Sequence, residues 1–414
     1  MLTPKKEKKI KVNVMGELSD EKNEKHEPPI NKYYSTVAYR YKFAKYLTIV
    51  LLIVFVLFSI TVNRDSITYS NFVFLIKDMN TVFESDGILN VQKSISYNTD
   101  RNQSFSLYRR GLAVAGSSNI YVFNSAGKQT HSSQIHYSSP HFSTSEKYML
   151  LYDLGGKGYS LYNSFAKIHS EELDYPITTA KISDSGVYAV VSGDREYTSS
   201  VSVYNKNFEL IEKNRKDKYI IDIALDRDGE ELLIASCESE SGEYYTEISL
   251  SKIGSGQEHI NLKKVGLFPI KAGYSDSGGF YVLCDKALLF FDGNGNETSS
   301  FDFGEFSVSR ADDPGDRIVL LMSRNTADND MRLWVFDSEG KKIYDEKVSG
   351  RINSVVSYGD HVYLLFDAEV KRVSHDDAKI TSTPINVGVK KMLVINEATV
   401  LLCYASHTQY VELN

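Results

Sequence analysis

The chain has 414 residues, which is enough for one large domain or for two to three ordinary ones. Its apolar fraction of 42% and charged fraction of 24% are near the averages for globular proteins. The net charge of −7 combines +5 over residues 1–45 with −12 over the remainder. An acidic main part excludes bulk electrostatic attraction to nucleic acid, so we expect no nucleic-acid partner.

Residues 1–45 are rich in charge and poor in apolar side chains, with a lysine cluster at residues 5–9. Such a segment cannot bury enough surface to offset its conformational entropy. The sequence therefore predicts a disordered, basic tail. Its lysines could contact anionic lipid head groups, but a solvated tail is the simpler interpretation.

Residues 46–63 carry no charge and are mostly Leu, Ile, Val and Phe. As a helix they would extend about 27 Å, close to the roughly 30 Å hydrocarbon core of a bilayer. Lys32, Arg40, Lys42 and Lys45 precede this run, so the positive-inside rule puts the N-terminus in the cytoplasm and the rest outside the membrane. A cleaved secretion signal is the alternative. The long preceding tail and the lack of an Ala-x-Ala-like site disfavour it.

Residues 64–86 contain apolar side chains at spacings of three and four, which is typical of an amphipathic helix. These side chains are Phe72, Leu75, Ile76, Met79, Val82 and Phe83. We expect this connector to pack on the following domain or to lie along the membrane surface.

Residues 87–414 consist of short apolar runs broken by Gly, Asp, Asn and Ser. Ends of apolar strands recur near residues 124, 163, 205, 251, 292, 337, 374 and 412, a period of about forty residues. Four short strands per forty-residue unit are the signature of a propeller blade. The sequence predicts an all-β fold, a β-propeller of eight blades. Seven is the alternative, because the first and last units match least well.

The last unit, residues 390–413, has room for only three strands. The segment from Ile88 to Ile95 is strand-like and has no partner before the first unit. An open ring would leave two edges with unpaired backbone groups. We therefore expect this segment to supply the missing strand and close the ring.

Two features resemble known proteins. The turns Ser183-Asp184-Ser185-Gly186 and Ser275-Asp276-Ser277-Gly278 resemble those of WD-repeat-like and quinoprotein-like propellers. The whole layout resembles an uncharacterised family of Gram-positive, clostridial-type membrane-anchored proteins, in which a basic tail and one span lead through a segment like Arg64–Phe72 to a propeller. The resemblance implies a fold and a topology, but no activity and no site residues.

Few residues suggest metal chemistry. The segment Asp292–Glu297 places oxygen ligands at positions one, three and five of a calcium loop, but the sixth and twelfth positions do not fit, which favours a hairpin turn. His131, His136 and His141 recur at a spacing that puts them on opposite faces of a strand, so we interpret them as solvated. Trp334 is expected in the core.

The three cysteines, Cys237, Cys284 and Cys403, each lie in or at the end of an apolar run. We expect them to be buried, reduced core residues. One disulfide with one free thiol is the alternative. The cysteines are not spaced in close pairs as zinc ligands are, so the sequence does not suggest a metal site.

No nucleophile elbow or phosphate-binding glycine loop occurs, and the sequence predicts no catalytic residues, no cofactor and no metal. The function it favours is a membrane-tethered extracytoplasmic scaffold for an envelope protein, a polymer or a partner subunit. It would contact the lipid bilayer through residues 46–63. A ligand sensor is the alternative, and a propeller enzyme is a weaker one.

Overall fold

The computed structural model describes residues 29–62, 94–100, 102–163, 166–240, 242–324, 331–375 and 379–413. The chain divides into two units, residues 1–77 and 78–414. The first 28 residues of the tail and the connector at 64–86 lie outside the described residues.

The first unit contains one helix, α1, which spans Pro29–Val62. The helix begins well before residue 46, so residues 29–45, which we predicted to be disordered, are helical. Pro29 suits a first helical turn because its missing N–H has no partner to lose there, and no glycine or further proline follows within the helix. Over the residues that the structure describes, no helix is long and apolar enough to cross a membrane.

The second unit is an eight-bladed β-propeller, which confirms the predicted fold and blade count. Each blade is an antiparallel sheet of four strands, in the order in which the chain forms them, except that the last blade takes its outer strand from the N-terminal side. The strands of blades 1 to 4 are β2 (Ser104–Tyr108), β3 (Gly111–Ala115), β4 (Asn119–Phe123), β5 (Gln129–Gln134); β6 (Pro140–Thr144), β7 (Met149–Asp153), β8 (Gly158–Tyr162), β9 (Lys167–Glu172); β10 (Ile177–Ile182), β11 (Tyr188–Ser192), β12 (Ser199–Tyr204), β13 (Leu210–Lys216); and β14 (Tyr219–Leu225), β15 (Glu231–Glu240), β16 (Glu243–Lys252), β17 (Glu258–Val265).

The strands of blades 5 to 8 are β18 (Pro269–Tyr274), β19 (Phe280–Cys284), β20 (Ala287–Phe291), β21 (Glu297–Asp302); β22 (Ser307–Asp312), β23 (Arg317–Ser323), β24 (Met331–Asp337), β25 (Lys342–Val348); β26 (Ser354–Tyr358), β27 (His361–Leu365), β28 (Glu369–Ser374), β29 (Ile380–Pro384); and β30 (Lys391–Asn396), β31 (Thr399–Cys403), β32 (His407–Glu412), β1 (Ser94–Ser96).

The predicted closure is confirmed where the chain is described. β1 pairs with β32 in the eighth blade, with Ile95 opposite Thr408 and Ser94 opposite Gln409. Ile95 is buried. Residues 88–93 of the predicted strand lie outside the described residues.

The core lies between blades rather than within them. Successive strand residues point to opposite faces of a sheet, so each blade packs on both neighbours. One core cluster joins Leu233 and Ile248 of blade 4 to Val282 and Leu289 of blade 5. The middle strands are therefore buried on both faces, whereas the fourth strands are largely exposed.

Two faces of the propeller can be told apart by their connections. The turn face carries the tight turns that join the first strand of a blade to the second and the third to the fourth. The loop face carries the remaining connections, including those from one blade to the next. The first strands surround the axis, and neighbouring ones such as β10 and β14, or β14 and β18, contact each other.

Candidate functional site

A line of exposed apolar side chains crosses the loop face between blades 4 and 5. Val265 ends β17 at the outer edge and is 60% exposed, and Phe268 in the following linker is 40% exposed. Ile270 in β18 and Tyr219 at the start of β14 are 44% and 69% exposed beside the axis. Together with Tyr244, we name these residues the mouth surface. Isolated exposed apolar residues are ordinary, but grouped ones mark binding sites.

A repeated backbone irregularity brings Ile270 to the surface. In β18 a β-bulge leaves Ile270 between Pro269 and Lys271, both of which pair with β19. Bulges redirect side chains next to functional sites. β14 has the same irregularity at Ile221, so two bulged isoleucines lie on neighbouring inner strands.

The linker that displays Val265 and Phe268 is held in place by several hydrogen bonds. The N–H of Gly266 donates to the carbonyl of Tyr244 (2.9 Å), and the hydroxyl of Thr246 donates to the carbonyl of Leu267 (2.7 Å). The N–H of Phe268 donates to Asp285 Oδ1 (2.8 Å), while its carbonyl accepts from the N–H of Asp285 (2.9 Å). Gly266 adopts φ +75°, which favours glycine.

Tyr244 joins the linker to the Asp285–Lys286 turn of blade 5. Its hydroxyl donates to Asp285 Oδ2 (3.1 Å) and accepts from Lys286 Nζ (2.9 Å), and its ring meets Phe268 edge-on at 6.4 Å. Lys286 also donates to the carbonyl of Gly266 (3.2 Å). The bond to Tyr244 raises the pKa of Lys286 above its usual range, so the ammonium stays charged. The mouth surface is thus preorganised, which lowers the entropic cost of binding.

A second group of polar residues lies on the inner strands. Lys181 of β10 pairs with Asp222 of β14 at 3.4 Å. The carboxylate of Asp222 also accepts from the N–H of Ala272 in the next blade (3.1 Å). In the same way, Asp312 of β22 accepts from the N–H of Ser357 (2.7 Å). These carboxylates link neighbouring blades around the axis.

Asp313 is bonded to both Lys271 and the hydroxyl of Tyr281. An ideal Cβ on Gly273 would lie 2.6 Å from that hydroxyl, so glycine is needed for the tyrosine ring to cross the strand. Burial, reinforced by the nearby carboxylate of Asp313, raises the pKa of Tyr281 well above its usual range. In these contacts the charged groups are bonded to one another and to neighbouring blades, and we assign them a structural role.

A polar cleft of about 630 Å³ lies between blades 1 and 2. Residues 134–137 form one wall, and Lys167, Glu171 and Glu172 of β9 line another part. The hydroxyls of Tyr137 and Ser160 are hydrogen-bonded at 2.7 Å. Burial raises the pKa of Tyr137 to about 12, so it remains a phenol at neutral pH.

The residues considered above as possible metal ligands do not come together in the structure. Asp292 caps a turn, with Oδ1 accepting from the N–H groups of Asn294 (2.9 Å) and Asn296 (2.8 Å), as the hairpin interpretation predicted. His136 is exposed, but His131 and His141 are half-buried against Tyr162 and Tyr152 rather than solvated as predicted, because each ring packs on a neighbouring tyrosine. Within the described ranges, no three His, Cys, Asp or Glu side chains are grouped to hold a metal ion.

The cysteines and the tryptophan lie in the core, as predicted. Cys237, Cys284 and Cys403 are buried and unpaired. Burial raises the pKa of Cys284 and Cys403 to about 12, which makes their thiols poor nucleophiles at neutral pH. Trp334 is buried and donates its indole N–H to Asp345 Oδ1 (2.8 Å).

Sequence reasoning did not find the mouth surface. In the sequence, nothing distinguishes its residues from ordinary strand residues: Tyr219, Val265, Phe268 and Ile270. Only the packing between blades determines which of them stay exposed. One signal was available: Gly266 interrupts the apolar run at residues 265–270.

A family model described as a family of unknown function, DUF5711, matches residues 85–413. The chain belongs to this family. The match covers the propeller and agrees with the uncharacterised family suggested by the sequence. No curated protein matches the sequence of this DUF5711 member.

Solved propellers share its fold. BamB from Moraxella catarrhalis aligns with a TM-score of 0.53 at 13% identity, over 78% of this chain and 100% of that one. Apo AztD from Citrobacter koseri aligns with a TM-score of 0.50 at 11% identity, over 70% and 90%. The WD40 domain of Neurospora crassa Pan2 gives 0.46 at 11%, over 67% and 90%. At these identities the likeness to BamB and AztD establishes the fold alone.

Proposed function

We propose that this DUF5711 protein is a non-catalytic scaffold whose propeller binds a protein partner through the mouth surface. The observation that carries the proposal is the exposed apolar side chains of the mouth surface, two of which lie on or beside a linker held by several hydrogen bonds. Large apolar and aromatic side chains held in place before binding are the usual source of affinity at protein interfaces. The similar propellers support the suitability of the fold for such a role.

The inner-strand charges favour a scaffold over an enzyme. Catalytic groups need to act on substrate, whereas Asp222, Asp312 and Asp313 are engaged with neighbouring blades. The low reactivity of the buried thiols agrees with the same interpretation.

The proposal includes a membrane tether at residues 46–63, with the propeller outside the cytoplasm. It rests on the amino-acid sequence, whose uncharged run continues past the described side chains of α1. Within α1, Leu51 and Phe55 are exposed, and Thr48 donates its hydroxyl to the carbonyl of Ala44 (2.9 Å). A hydroxyl satisfied by its own helix is compatible with lipid. The resemblance to membrane-anchored proteins of Gram-positive bacteria supports the same arrangement.

Site-specific photocrosslinking in intact cells tests the binding surface. A photoreactive residue at Phe268 should crosslink a discrete protein, whereas one at Ile380, which is exposed on the turn face, should not. Adding Val265→Asp should abolish the product at position 268, because a carboxylate would have to be desolvated in the interface. The melting temperature should stay unchanged. Equal crosslinking at both positions, or none at 268, would refute the proposal.

A further inference from the structure

The outer strand of blade 1, β5, has an unusual edge. The N–H of Ile135 continues the ladder by donating to the carbonyl of Ser118 (2.9 Å). Because bonding alternates along an antiparallel pair, Ser133 also faces β4, and the backbone groups of Ser132 and Gln134 point outwards. Both residues are exposed. Among the described residues, no neighbouring strand pairs with this edge.

In three other outer strands, the position that corresponds to Gln134 holds a charged residue or a proline, which we call a guard residue. The bonds that continue their ladders place Glu172 there in β9, Asp302 in β21 and Pro384 in β29. Charged residues and proline at such positions discourage another strand from pairing, and proline also removes the N–H.

Three of the remaining outer strands, β13, β17 and β25, contain lysines. Of the outer strand of blade 8, β1, the structure describes only Ser94–Ser96. β5, Gln-Thr-His-Ser-Ser-Gln, has six residues without lysine, arginine, acid or proline. Within the described part of the propeller it is the one full-length outer strand that lacks every such guard.

The unguarded edge borders the polar cleft between blades 1 and 2. Gln134 and the residues that follow it form a wall of that cleft. Gln134 is the residue of β5 that lines the cleft, and Tyr137 and Ser170 lie in the same lining. The charged residues that line the cleft are three acids and two lysines: Asp153, Glu171, Glu172, Lys157 and Lys167.

We propose that β5 binds an extended segment of a partner protein as a fifth strand of blade 1. Main-chain hydrogen bonds to Ser132 and Gln134 supply the recognition, and alternate side chains of the segment enter the cleft. The polar lining selects side chains that form hydrogen bonds rather than large apolar ones. This interaction is separate from the mouth surface of blades 4 and 5 and does not depend on it.

The test uses the full-length protein in detergent and a displayed library of random twelve-residue peptides. Selected peptides are measured against the native protein and against Gln134→Pro, which copies Pro384 of blade 7. We expect affinity to fall at least tenfold, with an unchanged melting temperature because the N–H of Gln134 does not bond within the blade. Asp302→Asn, at the same position of blade 5, is the matched control and should bind normally.

Backbone methylation of a selected peptide provides the second measurement. Two methylated peptides are compared, one N-methylated at the odd positions and one at the even positions. Because every second N–H of the peptide faces β5, one of these two phases should abolish binding and the other should leave it intact. No enriched peptide, equal binding to Gln134→Pro, or equal effects of both phases would overturn the proposal. Self-association that Gln134→Pro abolishes, without peptide binding, would make a second copy the occupant and overturn the partner proposed here.

Discussion

Two half-buried aspartates illustrate how surroundings determine the contribution of a charge. Burial raises the pKa of Asp312 above its usual range, and Asp313 adds to this, although Ser357, Lys271 and Lys391 oppose it. Burial would likewise raise the pKa of Asp345, but bonds from Lys342, Arg332 (2.6 Å) and Trp334 (2.8 Å) outweigh it and hold that pKa below its usual range. Their effects on stability therefore have opposite signs.

We expect Asp312→Asn to stabilise the propeller at pH 7. Because the folded pKa is raised, the favourable contribution of Asp312 is complete below its unfolded pKa and is lost as pH rises through the folded value. An asparagine stays neutral and still accepts from Ser357. Urea midpoints measured from pH 4 to 7 should show the variant gaining on the native protein as pH rises.

Asp345→Asn is the control, because its effect on the free energy of unfolding should have the opposite sign. Its contribution is present above the unfolded pKa and lost as pH falls through the folded value. Removing the charge should cost about 1–3 kcal/mol at pH 7, because charged hydrogen-bond donors lose a strong acceptor. Parallel pH profiles for the two variants would contradict this account.

At the scale of elements, the ring depends on a three-residue strand. β1 pairs with β32, and Tyr97 just beyond it adds further contacts. The Tyr97 N–H donates to the carbonyl of Ser406 (3.1 Å), and its hydroxyl lies 2.7 Å from the carbonyl of Tyr404. The N-terminal side of the propeller is thereby fastened to the last blade.

Two truncations test this closure. Removing residues 1–84 should leave a soluble domain that melts cooperatively, because β1 and Tyr97 are kept. Extending the deletion through Ser96 should remove cooperative melting or soluble yield, since it exposes an unpaired edge and uncovers the core beside Ile95. Calorimetry of both proteins gives the comparison. Identical melting would show that β1 does not hold the ring together.

At the scale of the whole propeller, the mouth surface and the β1–β32 pair reach different faces. β1 begins and β32 ends at the turn face. The mouth surface lies on the opposite, loop face.

Protease accessibility tests the proposed topology. Protease added to intact cells after removal of the wall should digest the propeller and spare an N-terminal tag, because the positive flank retains the N-terminus inside. Detergent lysis should then expose the tag. Protection of residues 94–413 in intact cells would contradict an extracytoplasmic propeller.

The sequence alone determined the architecture of the propeller. Turn residues and apolar runs repeat every forty residues, and since each blade is built from local hairpins, local patterning predicts both the blade and the count. The missing fourth strand of the last unit likewise predicted the role of Ile95. Only the tertiary structure determined the surfaces. Exposure of Phe268 depends on packing between blades, and the outward direction of Gln134 depends on register, neither of which is a local property of the chain.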